Sequence, residues 1–329
     1  MLAAWRGMVR IMAADPLVDL TEVIVLRREL IDAGHTDRQI RALVKRGELH
    51  RVRHGTYVSG ELWRSLSAAG RHRVLVRAVL RRAHPSTVAT HISAAIEHGA
   101  PVWGINLDEV HTTRTDGMPG RREAGVVHHR GRMPESDVVE VDGIRVSAPA
   151  RCAIEVCAIT TVEPALVTVD GLLHSGRCTV EELLAMAESC KHWPDSLTTT
   201  IVLRLCDPGS ASAGESRTVH LCWTQRLPRP ETQVPVLDEH GRVFAYADFA
   251  WPELGVFLEF DGREKYDRFR REGETLEAYV LREKRREERI CQLTGWVCIR
   301  ITWADLERPV ATARRIRRLL DSRRRTVGA

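Results

Sequence analysis

The chain has 329 residues, of which 43% are hydrophobic and 28% charged, with a net charge of +5. That length exceeds one ordinary core and points to two or three domains, and the balance of apolar and charged residues excludes a disordered chain. No run of about 18 uncharged apolar residues occurs, which excludes a helical membrane span.

The opening, MLAAWRGMVRIM, is apolar but interrupted by Arg6 and Arg10, so it makes a poor signal peptide; a start at Met8 or Met12 is an equal alternative. From Leu20 to Ala33, apolar residues recur at Val23, Leu26, Leu30 and Ile31, the spacing of a helix closed by Gly34. A second helix begins at Thr36, where Thr36-Asp37-Arg38-Gln39 fits a capping box. Ile40, Leu43 and Val44 form its inner face and leave Arg38, Arg41, Lys45 and Arg46 on other faces, and Gly47 ends it. Leu49 to Val58, LHRVRHGTYV, reads as two short strands around a turn at His54-Gly55.

A helix, a turn, a basic helix and a basic hairpin follow one another in the order of a winged helix-turn-helix. The second helix is then expected in the major groove, with Arg51 and Arg53 on the wing meeting phosphates. The alternative is a packing or protein-binding module that keeps the fold without touching DNA. The stretch RRELIDAGHTDRQIRALVKRGELHRVRHGTYV resembles the N-terminal domain of AbiEi-type antitoxins. The resemblance covers about 40 residues and implies binding to operator DNA of the domain's own operon, with a cognate toxin protein as a second partner.

Residues 61–85 read as a basic helix and 87–98 as another, followed by strands at 109–113, 125–129 and 144–147. Three helical stretches then begin at ARCAIEVCAI, VEPALVTVDGLLHSG and TVEELLAMAESC. Five histidines fall here, at 91, 98, 111, 128 and 129, but their spacings match no local metal motif, so they read as structural or surface residues. The layout resembles the middle of many actinobacterial proteins, which supports the domain order and no particular chemistry. The chain's eight cysteines contain no C-x-x-C pair and read as reduced residues of a cytoplasmic protein.

The last third carries the clearest pattern: a helix within 210–227, strands at 233–237, 242–250 and 256–261, a charged helix at 276–294 and a strand at 296–303. The third of these strands is apolar on both faces and therefore expected to be central. Phe257, Glu259 and Asp261 share one face of it. Asp248 lies near the end of the preceding strand, and Glu215 on the entering helix offers a fourth carboxylate. Clustered oxygen ligands suit Mg²⁺ or Mn²⁺, which would activate water against a phosphodiester.

The segments Glu215-Ser216-Arg217, Ala247-Asp248-Phe249-Ala250-Trp251-Pro252, Glu259-Phe260-Asp261-Gly262 and Leu293-Thr294-Gly295-Trp296 resemble the endonuclease-like domain related to very-short-patch mismatch-repair nucleases, of the PD-(D/E)xK superfold. The resemblance implies Asp248 and Glu259 as catalytic carboxylates and metal ligands, with Glu215 and Asp261 as further ligands. It departs from the pattern at 261, where aspartate stands in place of the motif lysine; two substitutes are available, Lys265 as the candidate migrated catalytic lysine and Lys284 on the next helix, which is also a candidate DNA contact.

The expected architecture is an α+β multidomain chain. A winged helix spans 17–60, a mixed α/β connector 61–207, a restriction-endonuclease-like α/β core 208–309 and a basic C-terminal helix or tail 310–329. Two functions follow: a metal-dependent DNA endonuclease guided by a winged helix, in phage defence or mobile-element biology, or an AbiEi-like antitoxin and transcriptional regulator whose nuclease fold is inactive. A protein-interaction adaptor in a toxin–antitoxin pair is a third.

Overall fold

The computed structural model describes residues 23–194, 196–262 and 274–327. The chain divides into two compact units: one takes in the chain up to Thr160 together with Arg177–Pro194, the other Thr161–Gly176 together with the chain beyond Pro194.

The first unit opens with β1 (Val25–Leu26), α1 (Arg27–Asp32), α2 (Asp37–Lys45), β2 (Leu49–Arg53) and β3 (Thr56–Ser59). The expected first helix is shorter than its apolar spacing predicts. The run Val23-Ile24-Val25-Leu26 is rich in β-branched side chains, and Val25 and Leu26 pair with Tyr57 and Thr56 as an edge strand instead. The second helix follows its sequence signal closely. Gln39 N–H donates to the Thr36 hydroxyl at 3.3 Å and Thr36 N–H to Gln39 Oε1 at 2.7 Å, the two bonds of a capping box. Ile40, Leu49 and Tyr57 bury against one another, with Leu30, Leu43 and Val44 around them. The hairpin turns at His54-Gly55, where Gly55 takes φ +69°.

The single basic helix expected over 61–85 is two, α3 (Gly60–Ser65) and α4 (Ala68–Leu80). They are separated at Ser67, whose hydroxyl accepts the Gly70 N–H at 3.1 Å and restarts the helix. The helix expected over 87–98 gives its first residues to β4 (Thr87–Ala89) and keeps α5 (His91–Glu97). The sheet is completed by β5 (Val110–Arg114), β6 (Arg121–Glu123), β7 (Val126–His129), β8 (Val138–Val141) and β9 (Ile144–Ser147), in the order β6-β7-β5-β4-β9-β8. The β5/β7 and β4/β9 pairs are parallel. Helix α6 (Pro149–Cys157) packs on α5. Between α4 and α5, the wholly buried Arg77 guanidinium pairs with the wholly buried Glu97 carboxylate, to which Arg73 also donates at 3.0 Å.

In the second unit, α7 (Val162–His174) packs on α9 (Ser196–Leu205) and α10 (Ala213–Thr224), with α8 (Val180–Ser189) belonging to the first unit. The boundary expected at 207/208 therefore does not coincide with the division between units. The apolar α7 segment, read as part of the connector, finds its buried partners among the later helices.

A four-stranded sheet follows, formed by β10 (Glu231–Leu237), β11 (Val243–Trp251), β12 (Val256–Asp261) and β13 (Val297–Thr302) in that order. The first three strands run antiparallel and β13 lies parallel to β12. The strand expected to be central is so: Val256, Phe257 and Leu258 are fully buried. Helix α11 (Leu276–Thr294) packs against β10 and β13, with Ile290 in a core of Val236, Ala247, Ala250 and Phe257. Helix α12 (Trp303–Leu306) leads into α13 (Pro309–Val327).

The basic C-terminal segment is an integral helix that buries Ala313, Ile316 and Leu320. Its arginines cap other elements. Arg317 donates to Gln225 O at 2.5 Å, Arg315 to Arg300 O at 2.8 Å and Arg323 to Leu254 O at 3.1 Å. Gln225 ends α10, so Arg317 satisfies one of the carbonyls a helix C-terminus leaves open. Among the described residues no helix is long and apolar enough to cross a membrane.

Candidate nucleic-acid face and carboxylate cavity

The capping box and the inward Ile40, Leu43 and Val44 fix the rotation of α2, and that rotation decides where its cations point. Arg38, Arg41 and Lys45 are all exposed, at spacings of three and four that put them on one face. Arg46 is also exposed, but pairs with Glu48 at 2.6 Å. The α2/β2 corner thus presents three side chains available to an anion and one committed to a neighbouring carboxylate.

The two wing arginines diverge. The β2/β3 register shifts between Arg51 and Arg53, and Arg51 is exposed whereas Arg53 is half-buried. Arg53 lines a hollow of about 490 Å³ with Arg82, Arg114, Arg121 and Glu123. Burial foremost, and then Arg82, lowers the pKa of its guanidinium, and Glu123 opposes them. Of the two, Arg51 alone has the solvent exposure expected of a phosphate contact.

In the second unit, the β11/β12 ladder ends at the pair Phe249 and Leu258, which directly follow Asp248 and precede Glu259 on their strands. Asp248 Oδ2 accepts the Phe260 N–H at 3.0 Å, and Glu259 Oε2 accepts from Arg286 of α11 at 2.8 Å. Burial works against the charge on Arg286, but Glu259 and Glu283, with Asp248, outweigh it and raise its pKa. Both expected catalytic carboxylates therefore act on one guanidinium.

Asp261 lies 3.7 Å from Arg300, which is held at 2.6 Å by Glu287 of α11. Together Glu259, Asp261, Lys284, Arg286, Glu287 and Arg300 line a cavity of about 540 Å³. Lys284 is thus beside the acids. Glu215 is buried and caps its own helix, accepting from Ala211 N–H at 2.9 Å and from the Ser212 hydroxyl at 2.9 Å. Lys265 lies outside the described residues.

The arginines of α11 are the residues that sequence reasoning missed at this site. Their signal was present: Arg282, Arg286 and Arg289 recur at helical spacing, interleaved with Glu283 and Glu287, opposite a strand bearing Glu259 and Asp261. A helix face that alternates charge over an acidic strand is set up for internal pairing. Among the described residues, the one group of three histidine, cysteine or acidic side chains with donor atoms close enough to share an ion is His91, His111 and His129, not the carboxylates.

Fold and site together define a two-unit α/β chain with an exposed cationic helix in one unit and an arginine-bridged carboxylate cavity in the other. Residues 39–193 match the family model of the AbiEi antitoxin C-terminal domain. The matched stretch begins within α2 and runs through the six-stranded sheet to the end of the first unit, so it includes the middle region, where the sequence showed little chemistry, and stops short of the four-stranded sheet. An uncharacterized protein of Mycobacterium tuberculosis, found alike in strains CDC 1551/Oshkosh and H37Rv, is 27% identical over 292 residues, which is 88% of this chain and 98% of the relative.

Proposed function

We propose that this chain is a DNA-binding regulator of the antitoxin type. Its first unit would carry the DNA contacts through a winged-helix arrangement of α1, α2 and the β2/β3 hairpin, and a cognate toxin protein would be its protein partner. The observation that carries the reading is the outward row Arg38–Arg41–Lys45 on a helix whose opposite face is locked into the core. The match of residues 39–193 to an antitoxin family model supports it. Phosphate neutralisation by such a row is salt-dependent, because each contact releases condensed counterions.

The test is fluorescence anisotropy with duplex DNA from the chain's own upstream region, over a salt series. Arg38→Ala, Arg41→Ala and Lys45→Ala combined should weaken binding at every sequence and flatten the log–log salt slope by about 3. Wild-type protein that shows no salt-dependent binding at all would leave the adaptor role in its place.

One observation favours the nuclease reading: Asp248 and Glu259 sit on adjacent strands of a unit ordered helix, three strands, helix, strand. The residues as arranged do not fit a Mg²⁺ or Mn²⁺ site. A hard divalent cation needs several free oxygen donors, whereas Glu259 holds Arg286, Asp261 faces Arg300 and Glu215 caps its helix. No hydrolytic step is derived through such an ion. The expected result is that supercoiled plasmid survives prolonged incubation with wild-type protein and either cation. Nicking by wild type that Asp248→Ala abolishes would make the chain an endonuclease instead.

A further inference from the structure

Three histidines far apart in sequence converge in the first unit. His91 is the first residue of α5, His111 lies on β5 and His129 ends β7. Each offers a ring nitrogen, and these atoms all lie within 4.8 Å of one another. His111 Nδ1 and His129 Nε2 are 2.8 Å apart, and the His91 ring stacks on that of His129 with centroids 3.6 Å apart. We infer that His91, His111 and His129 form a binding site for a divalent transition-metal ion of the Zn²⁺ class.

Three observations carry this beyond a chance meeting of rings. The first is the backbone at His91, which takes φ +54° without being glycine. That conformation is sparsely populated by non-glycine residues, and such residues cluster where a side chain must be aimed. The second is the support behind it. His91 N–H donates to Glu155 Oε2 at 3.0 Å, and the buried Glu155 carboxylate is in turn held by the Ser147 hydroxyl at 2.9 Å and Arg151 Nε at 3.0 Å. The carboxylate thus fixes the His91 backbone and lies 3.9 Å from its Nδ1, close enough to offset part of a bound cation's charge. Thr90 Oγ1 engages His91 Nδ1 at 3.0 Å, which leaves Nε2 as the coordinating atom.

Third, the His111–His129 contact needs something between the two nitrogens, either one shared proton or one cation. Tetrahedral coordination at metal–nitrogen distances near 2.0–2.1 Å places ligand nitrogens about 3.3 Å apart. Opening the pair from 2.8 Å is a movement of about half an ångström.

Three imidazoles without a thiolate suit Zn²⁺, Co²⁺, Ni²⁺ or Cu²⁺ and exclude Mg²⁺ and Ca²⁺ as natural occupants. His129 also lines the 490 Å³ hollow with Arg82, Arg114 and Arg121, so a fourth ligand from that side would be water or an anion. The site ties α5 to the β5/β7 pair.

The experiment is titration of metal-free full-length protein with Co²⁺, followed by its visible absorption, and with Zn²⁺ by calorimetry. Wild type should take up one equivalent at the site, with tetrahedral Co²⁺ bands. His111→Gln and His129→Gln should each lose more than ~100-fold in affinity, since even outer partners of metal ligands are worth 10–100-fold. His128→Ala, next in sequence but outside the trio, should bind as wild type does. X-ray absorption of Zn²⁺-loaded wild type reads the ligands directly, so the test survives a variant that fails to fold. Imidazole nitrogens without sulfur support the site. Sulfur scattering from the chain's cysteines, uptake undiminished in both glutamine variants, or no uptake by wild type overturns it.

Discussion

At the scale of single residues, this protein buries charge repeatedly and settles each case differently. Glu97 is buried with Arg77 beside it, and breaking such a pair leaves an uncompensated charge. Asp170, on α7, has no such partner. Its Oδ1 accepts the Asp207 N–H at 2.8 Å, but burial dominates and pushes its pKa up to about 8. The folded chain therefore keeps a proton that the unfolded chain releases near pH 4. Stability falls as pH rises from about 4 to about 8 and levels off above that. Asp170→Asn retains the oxygen that accepts from Asp207 and never ionises. It should match wild type near pH 4 and exceed it in urea midpoint at pH 8.5, with a flatter profile between. A wild-type midpoint that climbs across this window relative to the variant would mean that the native carboxyl is ionised.

At the scale of elements, helices sit where their caps and close approaches put them. Gly214 on α10 illustrates the second kind. A Cβ there would lie 2.0 Å from the Phe260 ring, which is itself set edge-on to Trp303 at 5.1 Å. Alanine in an exposed helix stabilises by about 1 kcal/mol relative to glycine. Gly214→Ala should instead destabilise by about 1–3 kcal/mol, since the ring or the helix must move. Chemical denaturation decides the sign, and a stabilised variant would show that α10 and β12 are not in contact as described. The same scale explains which expectations held. Capping at Thr36, the turn at Gly55, the stop at Gly295 and the apolar run of β12 are local signals, and each element appeared where its signal lay. The run over 61–85 misled because Ser67 can cap a new helix, and helical spacing alone does not reveal a break.

For the whole molecule, the antitoxin family match covers most of the first unit and also the α7 segment of the second, and stops short of the four-stranded sheet. The arginine-bridged cavity lies in the second unit, where α11 arginines accompany Glu259 and Asp261. The similarity to the mycobacterial relative extends along both units. Net charge says little about where DNA would bind, because much of the arginine is engaged within the protein: Arg77 and Arg151 on buried carboxylates, Arg286 and Arg300 on strand acids, Arg315, Arg317 and Arg323 on carbonyls.

By itself the sequence determined the local grammar. Hydrophobic period, capping residues and turn glycines act over a few positions, so the second helix, its hairpin and the order of elements in the last third could be read directly, as could the facing of Glu259 and Asp261. Tertiary structure decided what those side chains meet. Arg286 reaches Glu259 across 27 positions, and His91, His111 and His129 gather because β5 and β7 pair in parallel while α5 begins beside them. Contacts of that kind depend on strand order and helix rotation, which arise from the packing of the whole unit and leave no periodic trace in the residues that make them.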